Sequence, residues 1–97
     1  MKNYYLIIHK PGPAWIEGKG FQEQKLMDHG AYIHNLYQQG IVIEGGPFLD
    51  HTGGMAIIRV EDQAHAEEII RQDPAIIEGV FTAELHPWFR VDWETYG

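Results

Sequence analysis

Two apolar runs, IVIE at 41–44 and MAIIRV at 55–60, enclose the stretch GGPFLDHTGG, which holds four glycines and a proline. Glycine and proline interrupt helices and ladders alike, so the stretch reads as a turn and its β-rich flanks as a hairpin. A segment of helical period lies on each side. Residues 21–39 end at Gly40, a natural left-handed helix stop. Residues 61–72, EDQAHAEEIIRQ, put Ala64, Ile69 and Ile70 on an inner side. Outside the helices lie NYYLIIH at 3–9 and VFTAELHPWF at 80–89, both rich in β-formers. A short segment, DPAIIEG, precedes the last strand.

The order β-α-β-β-α-β predicts an α+β chain with a ferredoxin-like antiparallel sheet, both helices covering one face. The length of 97 residues allows a single domain, residues 1–97. A chain this short buries only roughly 60–65% of its unfolded surface. Along the first strand Tyr5 and Ile7 point opposite to Tyr4, Leu6 and Ile8, so both faces of the sheet are partly apolar. A second copy packed sheet against sheet is the simplest cover, which predicts a homodimer.

Charge narrows the partners. With 14 acidic and 7 basic side chains the net charge is −7, which argues against nucleic acid and anionic membranes. No cysteine is present, so zinc-thiolate and thiol chemistry are excluded. No apolar run approaches a membrane span, and the apolar patch near the N-terminus is too short for a signal-peptide core. The expectation is a cytoplasmic protein.

Helical geometry sorts the polar cluster DHGAYIHNL at 28–36. At about 100° per residue, His29 shares a face with Leu26, Tyr32, Ile33, Leu36 and Tyr37, while His34 lies about 140° away. The two histidines therefore cannot chelate one metal, and Asp28 is a poor partner for His29. An inward imidazole is either a packed, backbone-bonded side chain or a general acid/base at the floor of a cleft. The second role requires an orienting partner from another element. Asp73 is the candidate. It precedes Pro74, where a helix must end, and Asp-Pro is a natural N-cap with proline at the first helical position. A capping carboxylate still has one oxygen free.

Other signals are weaker. His9 and His86 end strands that could bring them together, but three-ligand metal geometry is not suggested. His51 and His65 are expected to be exposed, and Asp50 to sit in a turn. The GKG at 18–20 lacks phosphate-loop spacing, and no nucleophile elbow is present. The loop at 10–20, KPGPAWIEGKG, is long, carries Trp15, and is expected to form a lid. Residues 90–97 form a C-terminal tail.

His29, QGIVIEGGPF at 39–48, GGM at 53–55, AEEII at 66–70, DP at 73–74 and HPW at 86–88 follow one another in an order that resembles the YCII-related family. The likeness runs from about residue 4 to residue 89. It implies a ferredoxin-like subunit that dimerises through its sheet, as in dimeric α/β barrels. It also implies a His-Asp active-site dyad, here His29 and Asp73, and proton transfer on a small ring compound. This sequence departs from the family pattern at Leu26, where many members carry an arginine; Lys25 is its neighbour here.

The resulting expectation is cofactor-free acid/base chemistry, an elimination or isomerisation of a small cyclic or aromatic compound. His29 moves the proton and Asp73 holds its tautomer, with no metal or cofactor. Trp15, Phe48 and Trp88 are candidate pocket walls, and Gly45 and Gly46 let backbone approach a ligand closely. The alternative is a non-catalytic ligand-binding or interaction module in which the same pair fixes the fold.

Overall fold

Alternation along the first strand sets the sheet's two faces. Strand β1, Asn3–Pro11, buries Tyr5, Ile7 and His9 and leaves Tyr4, Leu6 and Ile8 half-buried, as a period of two requires. The computed structural model describes residues 2–97. Strands β2 (Val42–Pro47), β3 (Gly54–Val60) and β4 (Phe81–Trp88) complete one antiparallel sheet in the order β2-β3-β1-β4. Helices α1 (Met27–Gln38), α2 (Gln63–Arg71) and the single turn α3 (Pro74–Ile77) cover one face. This is the ferredoxin-like α+β order expected from the sequence.

The core lies between that face and the helices. Tyr5 and Ile7 meet Ile58, Val60 and Val42 from the sheet, with Leu36, Ala66 and Ile69 descending from α1 and α2. The Tyr32 hydroxyl donates to the Ile69 carbonyl at 2.7 Å and ties α1 to α2. Burial pushes that phenol up to about 12. A smaller cluster of Ala75, Val80 and Phe81 receives Trp15, Leu26 and Ile76.

The first strand runs two residues beyond the expected end, because Lys10 and Pro11 still pair with Thr82 and Phe81. The first helix starts at Met27 and not at residue 21. Residues Phe21–Glu23 form a 3₁₀ turn, and Gln24 is extended, with ψ of 160°. Its buried side chain takes the Ile16 amide at 2.8 Å and donates to the carbonyls of Ile16 (2.9 Å) and Lys19 (3.1 Å). These bonds satisfy loop backbone that a longer helix would leave unpaired. The loop is further pinned by Gly12 and Ala14 amides bonded to the carbonyls of Val80 and Gly79. Tyr37, expected on the inner helix face, is 59% exposed, since Leu36 takes the buried position at that end of α1.

The hairpin β2–β3 carries a bulge between Val42 and Glu44. Gly53 has a φ of +128°, and a side chain there would lie 1.9 Å from the His9 carbonyl oxygen. A glycine at this point is what lets the start of β3 run against the end of β1.

Candidate functional site

Three elements converge where β1 ends. His9 is the last buried residue of β1, on the same face as Tyr5 and Ile7. His29 lies in the first turn of α1. Asp73 caps α3, and its Oδ1 accepts the Ala75 amide at 2.9 Å, with Pro74 at the first helical position. The cap fixes the carboxylate and aims it across the sheet face at α1.

His29 Nδ1 lies 2.9 Å from Asp73 Oδ1 and 2.8 Å from Oδ2. A carboxylate this close accepts a hydrogen bond, so Nδ1 carries the proton and Nε2 is left as the basic nitrogen. Asp73 is 2% exposed and His29 16% exposed. The expected pairing is therefore a direct contact between residues 44 apart in sequence.

His9 joins this pair. Its ring centroid is 5.0 Å from that of His29 in an edge-to-face arrangement, and both rings touch Phe81. Its Nε2 stands 3.7 Å from Asp73 Oδ2, too far for a hydrogen bond. Burial lowers the His9 imidazole from 6.5 to about 4, aided by the nearby His29 and opposed by the Asp73 carboxylate. His9 is thus neutral near pH 7. The expected approach of His9 to His86 does not occur. His86 pairs with Glu84 on the outer face, its Nε2 2.9 Å from the carboxylate. His9, His29 and Asp73 each offer a potential metal-ligand atom within 4.8 Å of one another.

The two histidines line a cavity of about 430 Å³ between α1 and the β2–β3 hairpin, within the roughly 300–1,000 Å³ usual for small-molecule sites. Its walls are mainly apolar, with Leu26, Ile33, Val42 and Phe81 among them. Glu44 is the one carboxylate, and no lysine or arginine lines it among the described residues. Gly45 and Gly46 form part of the wall, as do Gly53 and Gly54. The other three aromatic candidates stand elsewhere. Trp15 stacks on Phe81 at 5.7 Å in the small cluster behind the site. Phe48 lies in the turn beside Leu49 and Asp50. Trp88 meets Tyr4 edge to face on the opposite side of the sheet. His34 reaches the cavity rim despite its angle from His29.

Sequence reasoning passed over His9 as a partner for Asp73. The available signal was the odd-numbered face of the first strand, on which His9 follows Tyr5 and Ile7 toward the helices.

The YCII-related domain matches residues 3–88. Among curated proteins no match is found. One similar solved structure is 5-chloro-2-hydroxyhydroquinone dehydrochlorinase from Burkholderia phenoliruptrix AC1100, in complex with 2,5-dihydroxybenzoquinone. It superposes with a TM-score of 0.68 at 21% identity, covering 93% of this chain and 97% of that one. Among the described residues no helix is long and apolar enough to cross a membrane.

Proposed function

The chain belongs to the YCII-related domain family, and from that premise we propose that it is an enzyme of cofactor-free acid/base chemistry on a small hydroxylated ring compound. The observation that carries this reading is the Asp73–His29 pair beside an apolar cavity. His29 Nε2 takes a proton from the substrate. On the ring's keto tautomer the halogen-bearing carbon is tetrahedral and carries a hydrogen. There the O–H electron pair becomes a carbonyl, the ring double bond shifts onto that carbon, and halide leaves with the carbon–halogen pair. Asp73 holds Nδ1 protonated and balances the imidazolium while it exists. The apolar walls exclude water and strengthen that pairing. The similar fold of a dehydrochlorinase holding a dihydroxyquinone supports elimination as the reaction class.

The test is chloride release from 5-chloro-2-hydroxyhydroquinone and a panel of halogenated hydroxyarenes. Turnover should fall 10²–10⁴-fold in His29→Gln, the scale of a lost general base. Absence of turnover with every member, or an unchanged rate in His29→Gln, overturns the reading.

The loop at 10–20 is tied to Val80 and Gly79 and lines no part of the cavity, so it is not the expected lid; the working unit is a cytoplasmic homodimer. Half-buried Tyr4, Leu6, Ile8, Met55 and Ile57 share the face that no helix covers, which supports that pairing. Light scattering should give twice the chain mass, and a monomer at micromolar concentration would refute it.

A further inference from the structure

His9 poses a separate question. It is 4% exposed, yet its ring makes no hydrogen bond among the described residues. Buried polar groups usually meet a ligand, water or ion. No buried side-chain nitrogen or oxygen among the described residues lacks both a partner and contact with open space. The unbonded His9 nitrogens therefore keep some contact with open space, and the ring is part of the cavity wall.

We propose that His9 is a docking group for a substrate hydroxyl, so that the site selects a planar ring carrying a free hydroxyl and no carboxylate or phosphate. This rests on the acid/base reading above and deepens it by naming the residue that recognises the ring hydroxyl and the anionic rings the site rejects. Three observations carry it. The two imidazoles stand edge to face at 5.0 Å, close enough for one ring-sized molecule to touch both. A neutral imidazole offers one donor and one acceptor, which matches a hydroxyl that donates and accepts; burial keeps His9 in that form near neutrality. The cavity walls hold no cation, and Glu44 would repel an anion. His29, whose Nδ1 belongs to Asp73, is left to move a proton, while His9 fixes where the ring sits. The groups facing His9 are His29 from α1 and Asp73 from the cap of α3.

The experiment reads binding, so it stands even if the protein turns over nothing. Hydroquinone, 1,4-dimethoxybenzene and 2,5-dihydroxybenzoate are titrated into the full chain at pH 7, following the ring ¹⁵N signals of the histidines. Hydroquinone should bind at least tenfold more tightly than the other two and shift His9 together with His29. In His9→Phe that advantage over the dimethyl ether should vanish. Equal binding of hydroquinone and its ether to the unmodified protein overturns the proposal, which needs no variant to fold. So does failure of hydroquinone to bind, or tighter binding of the carboxylate. If zinc chloride shifts His9 at micromolar concentration and hydroquinone does not, the free nitrogens belong to a metal ion and the hydroxyl assignment is wrong.

Discussion

Acid should destabilise this protein through His9, and His9→Phe should remove that sensitivity. The imidazole lies at about 4 in the folded chain against an ordinary value of 6.5, chiefly because burial opposes its charge. Between those pH values the unfolded chain binds a proton that the native one refuses. Stability from this group is therefore complete above pH 6.5 and is lost as pH falls toward 4. Linkage puts the loss between pH 7 and pH 5 at about 2 kcal/mol. With a urea slope of roughly 1–3 kcal/mol per molar, the unfolding midpoint should fall by about 1 M over that interval. Phenylalanine has similar ring volume and no proton to bind. The difference between the two pH slopes reads the loss of the His9 imidazole. Urea titrations at pH 5 and pH 7, at fixed protein concentration, measure it. An equal drop in His9→Phe would refute the assignment.

Asp73→Ala should cost about 3–5 kcal/mol, since it strips both the Ala75 cap and the partner of His29. Thermal melts against Asp73→Asn, which retains the capping oxygen, should show the smaller loss in the amide. Gly53→Ala should destabilise by about 3 kcal/mol or more, because the added carbon would collide with the His9 carbonyl at 1.9 Å and the φ is left-handed; a melting temperature unchanged within a degree would contradict this. Gln24→Ala should leave the global melt within about 3 kcal/mol but speed hydrogen exchange at the Ile16 amide, whose acceptor it removes.

The order of elements was legible because strands of period two and helices of period 3.6 alternate without a long polar insert. The His29–Asp73 pair was legible for a different reason. A helical wheel isolates His29, and the Asp-Pro dipeptide fixes a cap whose carboxylate has an oxygen to spare. The start of α1 was not legible, because residues 21–26 have an acceptable helical period and the three side-chain bonds of Gln24 help hold them in another shape. Such bonds depend on where Ile16 and Lys19 arrive, which local propensity does not encode. Trp88 was misjudged as a wall because its side of the sheet follows from register with Tyr4. His9 was open to view on the face of Tyr5 and Ile7, but its meeting with Asp73 depends on how α3 docks.

The strand order has a consequence for how the chain comes into being. β1 precedes the other elements of this domain, yet both of its neighbours, β3 and β4, come from residues 54–60 and 81–88. Until the second half of the chain has left the ribosome, NYYLIIH has no native ladder partner and offers two bare edges to other chains. Its closing contacts span most of the sequence, so contact order favours slow folding relative to a helical bundle of equal length. The same delay applies to the site: His9 remains in water, free to take a proton, until the later elements bury it.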